Sequence, residues 1–308
     1  MFLRAPLGQL INRQRPINWG HPYAMGLIGF WKCVPGVSGG NTWYNLAAKA
    51  NLDAAADRGD GTIVAATPTG SNALSPWGLN ALSFNGSTAY VTCGNPANGA
   101  FDTDLSNHLG GLAVIADVFP LTATGERGIV CKANEDSNSA GSWDLFQNGA
   151  NFGWIVYAGG ARQISLTATG AVTQNTWQEI AGTWQPNAGT SSGVVYKNGQ
   201  SLTQGGGAFA AIQSSTNNIT IGSAETNAGT QKYYFNGYID NVRIYNVFIL
   251  PKTMEDIYQH AKLGFPGLLN FLPATTRPVF FVPAKAAATS TGWGPLLAQQ
   301  RNRLVRAA

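Results

Sequence analysis

The stretch that decides the fold is "YFNGYIDNVRIYNVFI", residues 233–248. Strict alternation along it sends Phe235, Gly237, Ile239, Asn241 and Arg243 to one face and Asn236, Tyr238, Asp240, Val242, Ile244 and Asn246 to the other. A run this long, bounded by turn-forming residues, reads as a strand. Its Asp240 sits among apolar and aromatic neighbours, so the strand is either the edge of an active site or the spine of a sandwich.

Working outward, similar runs recur along most of the chain. They include "GLIGFWKC" (26–33), "ALSFNG" (81–86), "LAVIADVF" (112–119), "RGIVCK" (127–132), "FGWIVYAGG" (152–160), "TWQEIAGTWQ" (176–185), "GVVYKNG" (193–199) and "NNITIG" (217–222). Asn198-Gly199 after Val194 and Tyr196 predicts a type I′ hairpin, whose two central residues both need positive φ, and Asn148-Gly149 is a second candidate. About a dozen short strands without interleaved helices imply an antiparallel sandwich or barrel. One helix is expected at "PKTMEDIYQHAK" (251–262), with Pro251 in the first turn and Met254, Ile257, Tyr258 and Ala261 on one face. Glu255 and Asp256 are read as lying near its positive end.

Composition narrows the classes. Of 308 residues 44% are hydrophobic, enough for a full core, while only 11% are charged and 38 are Gly, which favours short strands and many turns over helical bundles. No apolar run is long enough to span a bilayer, and "MFLRAPLGQLINRQRP" lacks the apolar core and cleavage site of a secretory signal. Cys33, Cys93 and Cys131 are odd in number and far apart, which suits buried thiols better than disulfides or a metal site. The charges segregate. All fifteen carboxylates fall between Asp53 and Asp256, whereas residues 1–52 and 257–308 hold eleven Lys and Arg and no acid.

Four segments carry a family resemblance. "ALSFNGSTAYVTCG", "NTWQEIAGTWQ" with "GVVYKNGQ", "NNITIGSAE" and "YFNGYIDNVRIYNVFILPKTMEDIY" occur in the order, and with the key residues, of laminin-G-like, concanavalin A-type jelly rolls. The resemblance covers roughly residues 24–260 and implies an all-β, two-sheet antiparallel jelly-roll sandwich over residues 22–262, flanked by extended N- and C-terminal arms (1–21 and 263–308). It also implies that Trp31, Phe84, Ile180, Val195, Ile239 and Val242 lie in or near the core, and that Asp240 is structural. Many relatives bind calcium, but two family carboxylates are Asn85 and Asn241 here, and no cofactor is expected.

Chemistry is sparse. Glucanases of this fold use paired carboxylates on one strand, and no such strand occurs; Glu135-Asp136 and Glu255-Asp256 are adjacent pairs that in strand or loop point apart. Gly189-Thr190-Ser191-Ser192-Gly193 matches G-x-S-x-G but precedes a hairpin strand, where a nucleophile elbow needs a following helix. His21, His108 and His260 are isolated, without metal-ligand spacing. The chain therefore reads as a non-enzyme with no nucleic-acid or membrane partner. Trp143, Trp154, Tyr157, Trp177 and Trp184 could stack against sugars or fill the core.

"INRQRPINWGHPYAMGLIGFW" and the ending "RPVFFVPA" resemble laminin-G-like proteins encoded by tailed phages. That resemblance implies a virion structural protein, a capsid decoration or other displayed protein, forming a homo-oligomer and contacting capsid or tail subunits. The alternative is a secreted or cell-surface carbohydrate-binding module, extracellular and bound to surface glycans. In the first reading the partner-binding residues are on the arms: Phe2, Arg4, Arg13, Arg15 and Trp19, then Phe271, Arg277, Phe280, Phe281, Trp293, Arg301, Arg303 and Arg306. Basic residues would orient the arms on an acidic partner, and aromatic anchors would supply most of the affinity.

Overall fold

The structure, a computed structural model, describes residues 17–33, 41–48, 59–68, 81–95, 101, 110–134, 141–226 and 229–269. Two eight-stranded antiparallel sheets face each other. Strands are numbered in chain order. The first sheet runs β14 (Gln200–Gly205), β13 (Gly193–Lys197), β12 (Gln178–Trp184), β7 (Leu112–Pro120), β18 (Asn236–Tyr245), β5 (Leu82–Asn85) and β4 (Thr67–Pro68), with β1 (Leu27–Trp31) also paired to β18. The second runs β11 (Ala161–Ala168), β10 (Asn151–Ala158), β9 (Trp143–Asn148), β8 (Glu126–Lys132), β15 (Thr220–Ile221), β6 (Tyr90–Thr92), β3 (Gly61–Val64) and β2 (Thr42–Trp43). Strands β16 (Ala224–Glu225) and β17 (Gln231–Lys232) form a separate two-stranded ribbon. This is the expected all-β sandwich.

The core between the sheets follows from alternation. On β7, Leu112, Val114, Ala116 and Val118 point inward, while Ala113 and Ile115 join a second apolar cluster on the outer side. All six residues expected in the core are there. The sheets interlock where the Trp154 ring lies over Gly182. Any Cβ at Gly182 would overlap that ring, and Trp154 Nε1 donates to Thr183 O at 3.0 Å.

Turn chemistry follows the sequence with one refinement. Asn198 and Gly199 both have positive φ, as a type I′ turn requires. In the β9–β10 turn the central pair is Gly149-Ala150, because Asn148 pairs directly with Asn151, and only Gly149 has positive φ. That is the type II′ pattern, with Gly in the first central position.

The opening stretch departs from strict alternation. Across β18–β7, Asp240 pairs with Asp117 but Arg243 pairs with Ile115, so one extra residue is inserted between them. Asn241 takes it up with φ +57°, and its Nδ2 donates to Asp117 Oδ2 at 2.7 Å. An Asn tolerates this left-handed conformation, and its amide bridges the gap the bulge leaves. The consequence is a reversal of facing. Ile239, Val242 and Ile244 all enter the main core, while Tyr245 joins the outer cluster.

Helix α1 (Pro251–Lys262) matches its expected span, burying Met254, Ile257 and Ala261. Glu255 and Asp256 do not serve the helix terminus. They lie past the first turn, at 3.4 and 2.9 Å from Lys252 Nζ on the surface. The chain then turns back. Phe265, Leu268 and Leu269 are buried beside Ile17, Ala24 and Phe30 in the outer cluster, and Ile17 pairs with Leu269. Residues 17–21 and 263–269, read from sequence as parts of extended arms, are thus parts of the fold. Ile17, Phe265, Leu268 and Leu269 cover a face of the first sheet that would otherwise be wet. Residues 1–16 and 270–308 lie outside the described residues.

Candidate functional site

The outer face of the first sheet carries the chemistry, in three rows. At one end, Tyr238 on β18 is in register with Phe119 on β7, and Trp177 immediately precedes β12. Phe119 lies 5.7 Å from both Trp177 and Tyr238, tilted against the first and edge-on to the second. All three are half-buried.

The next row is ionic. Asp117 is in register with Glu179 on one side and Asp240 on the other, so three neighbouring strands each contribute a carboxylate. All three are buried, together with Lys32 and Arg243. Lys32 Nζ lies 3.1 Å from Asp240 Oδ2, whose other oxygen accepts from Cys33 N at 2.9 Å. Arg243 donates to Glu179 through Nη2. Burial raises the Glu179 carboxyl above its ordinary range, with Arg243 opposing. The Asp117 carboxyl is pushed up to about 7, by burial first and then by Glu179, while Arg243 and the Asn241 amide pull it back.

The third row is the apolar cluster of Ala113, Ile115, Ala181, Tyr196 and Tyr245. Helix α1 and the returning segment lie on it. The Phe265 ring reaches the ionic row, 5.6 Å from Lys32 Nζ and 5.3 Å from the Arg243 guanidinium carbon. Asp240 is thereby a structural group, tying β18 to the chain after β1.

Sequence reading missed this row, because only strand register brings together carboxylates more than sixty residues apart in the chain. A signal was present. "VIADVF", "WQEIAG" and "YIDNVR" each set one acid in an otherwise apolar strand.

The other candidates fall as follows. Trp143, Trp154 and Trp184 fill the main core, and Tyr157 is buried in a small cluster with Phe146 and Ile155. Of the five aromatics considered for sugar stacking, only Trp177 keeps partial exposure. Gly189–Ser191 form a 3₁₀ turn leading into β13 with Ser191 exposed, so no nucleophile elbow exists there. His21 caps the turn Pro22–Ala24 by accepting from Tyr23 N, and its ring lies 4.8 Å from that of His260. Cys33, Cys93 and Cys131 are all buried, and Cys131 Sγ donates to Leu145 O at 3.8 Å. Trp19 is 53% exposed, and the other proposed arm residues, with His108, Glu135 and Asp136, lie outside the described residues.

The two positions where a family carboxylate is replaced have structural work. Asn85 Oδ1 accepts from the backbone of Ser87, Thr88 and Ala89 at 2.9–3.0 Å, shaping the β5–β6 turn. Asn241 forms the bulge. Elsewhere Lys132 Nζ sits among Asn95 Oδ1, Ser215 O and Asn217 O at 2.7–2.9 Å, an ammonium within a ring of oxygens. Among the described residues no group of three His, Cys, Asp or Glu side chains is placed to hold a metal ion. An open depression of about 500 Å³ between the β11–β12 loop and β14 is lined by Thr167, Thr169, Lys197 and Leu202. Lys197 is committed to Ala171 O and Thr173 Oγ1, and no aromatic or carboxylate lines the depression.

The two antiparallel sheets packed face to face are the architecture of a jelly-roll-type β protein. The sequence carries the same assignment: residues 85–253 match the concanavalin A-like lectin/glucanases superfamily, and the chain belongs to it. No curated protein matches the chain in sequence. Among solved structures it is similar to the receptor-binding domain of the C/D mosaic botulinum neurotoxin, at 12% identity and a TM-score of 0.53, covering 76% of this chain and 51% of that one. It is likewise similar to the binding domain of Paraclostridial Mosquitocidal Protein 1, at 12% identity and a TM-score of 0.52, covering 77% and 52%. A Trypanosoma rangeli sialidase mutant displaying trans-sialidase activity aligns at 16% identity and a TM-score of 0.51, over 79% of this chain and 34% of that one. At these identities the likeness is one of fold, and the chain spans between a third and about half of the length of those structures.

Proposed function

We propose that the protein is a non-enzymatic virion structural protein that presents its lectin-like sandwich at a particle surface and attaches through its terminal segments. The observation that carries this reading is the pairing of Ile17 with Leu269, reinforced by Asn18 N donating to Leu268 O at 2.9 Å. Residues 1–16 hold three basic residues and no acid, and residues 270–308 hold five and no acid. Ile17 and Leu269, the first and last described residues, therefore share one seam, and the basic sequences that flank them suit an acidic partner surface. The aromatics among them supply burial worth about 1.5–3 kcal/mol each, well above surface ion pairs at roughly 0–1 kcal/mol. Several such anchors on one chain act together through effective concentration.

The non-enzymatic reading rests on access. A glycosidase needs two carboxylates in contact with sugar, one as acid and one as base or nucleophile. Asp117, Glu179 and Asp240 stand in a row but are buried, Asp117 accepting from the Asn241 amide, Glu179 from Arg243, and Asp240 from Lys32 and Cys33 N.

The half-buried row of Trp177, Phe119 and Tyr238 supports a second reading, a carbohydrate-binding module, since aromatic faces pack against the apolar faces of sugars. Mass spectrometry and cryo-electron microscopy of purified particles separate the two. We expect stoichiometric copies of the chain, with the sandwich outermost and residues 1–16 and 270–308 at the contact. Particles lacking the chain, together with glycan binding by the isolated protein that is lost in Trp177→Ala, would establish the second reading instead.

A further inference from the structure

The open depression between the β11–β12 loop and β14 is used by neither reading of the function, and strand register explains what lines it. Lys197, at the end of β13, pairs with Ile180 of β12. Cross-strand partners point to the same face, so the Lys197 stem follows Ile180 toward the space between the sheets. It carries the ammonium to the β11–β12 loop, where Ala171 O and Thr173 Oγ1 accept at 2.6 and 3.1 Å. An ammonium has three N–H groups, so one remains for a ligand. No carboxylate lines the depression, Lys197 forms no ion pair among the described residues, and burial lowers its pKa with no acid opposing. The depression thus holds one positive charge that the protein itself does not answer.

The rest of the lining is polar with one apolar side. Thr167 and Thr169 are exposed and Thr203 is half-buried, giving three hydroxyls that each donate and accept. Leu202 supplies the apolar side. Tyr196 pairs with Ser201 and Val195 with Thr203, which leaves Leu202 as the extra residue of a bulge, 44% exposed. The volume of about 500 Å³ falls in the range of about 300–1,000 Å³ usual for small-ligand sites. We propose that this depression binds a carboxylated pyranose, a uronic-acid-type residue of an acidic polysaccharide. Its carboxylate would meet Lys197 Nζ, its hydroxyls Thr167, Thr169 and Thr203, and one C–H face Leu202.

Other ligands fit this chemistry less well. A neutral sugar leaves the cation unused, and no aromatic ring lines the depression to hold it by stacking. Inorganic phosphate spreads its charge over several oxygens and draws Arg forks or a set of backbone N–H groups, whereas one ammonium is present here. A nucleic acid calls for a basic groove with aromatic platforms. Trp177 does not line the depression, so the site is separate from the row of Trp177, Phe119 and Tyr238. It goes beyond both readings of the function and depends on neither.

The test is amide NMR of the full-length chain at pH 7, titrated with methyl glucuronoside, methyl glucoside and inorganic phosphate at low and moderate salt. Methyl glucuronoside should shift the amides of residues 167–171 and 202–203 saturably. It should bind about ten-fold or more tighter than methyl glucoside, the difference one charge-assisted contact makes. Added salt should narrow that gap. Leu202→Asp is the decisive variant, because it keeps Lys197 and its two bonds while offering the ammonium an internal carboxylate. It should lose glucuronoside binding, whereas Leu202→Asn should keep most of it. Lys197→Met should lose it too, and Trp177→Ala should bind as the native chain does. The site is overturned if these amides show no saturable shift, if glucoside or phosphate binds as tightly as glucuronoside, or if Leu202→Asp binds like the native chain. None of these results touches the virion assignment, which is read from particles, or the Trp177 row, whose glycan binding is lost in Trp177→Ala.

Discussion

Arg243→Met is expected to destabilise the sandwich by about 3–5 kcal/mol, the usual cost of breaking a buried pair by removing one partner. Arg243 is buried, donates to Glu179 and acts on Asp117 through its charge, so the variant strands Glu179 and takes a favourable cation from Asp117, two carboxylates that burial already disfavours. The loss should depend on pH in a definite direction. Without the guanidinium both carboxyls are pushed further above their unfolded values, so the variant loses stability as pH rises above about 4 and recovers part of it when returned toward pH 5. Urea unfolding at pH 5 and pH 8 measures this. Adding Glu179→Gln should restore part of the loss at pH 8, because the partner left stranded is then neutral. A variant as stable as the native chain at pH 8 would mean that the ionic row holds nothing together.

Trp154→Ala is expected to cost a similar amount, about 3–5 kcal/mol, through a different cause. The Trp154 ring crosses from the second sheet to lie on Gly182 of the first, and its indole N–H reaches Thr183 O at 3.0 Å. Truncation leaves a void bounded by two sheets, neither of which can collapse without breaking its own ladder. For a domain of this size the melting temperature should drop by roughly 6–20 °C. Trp154→Phe should recover much of this while still losing the hydrogen bond to Thr183. If calorimetry gives Trp154→Ala the native melting temperature, the two sheets are not locked at this point.

These two predictions sit at opposite ends of what the sequence made legible. Trp154 belongs to "FGWIVYAGG", whose alternation alone sets Phe152, Trp154 and Val156 on one face, and the core follows that pattern. The helix at 251–262 and the Asn198-Gly199 turn were equally readable, because helical spacing and positive-φ chemistry are local. Arg243 was not. Period-two reading placed it with Ile239, and the bulge at Asn241 moved it to the opposite face. A one-residue insertion reverses every side chain beyond it, and its only local mark is an Asn between two strand-forming halves. Likewise the row of Asp117, Glu179 and Asp240 exists only through pairing of β7 with β12 and β18, and pairing is a property of the assembled sheet. The sandwich boundaries shifted for a related reason. Proline and aromatic content in 263–269 suggested an extended arm, but Phe265, Leu268 and Leu269 found a complementary apolar face that no local pattern reveals.

The central claim is that the carboxylate row is a closed, ion-paired element of the fold and not a catalytic centre. The most direct measurement is release of reducing ends from a panel of β-glucans by the full-length chain, run beside Glu179→Gln at pH 5 and pH 7. We predict no release above that of the variant at either pH. Turnover by the native chain that disappears in Glu179→Gln, while the variant remains folded by circular dichroism, would contradict the account.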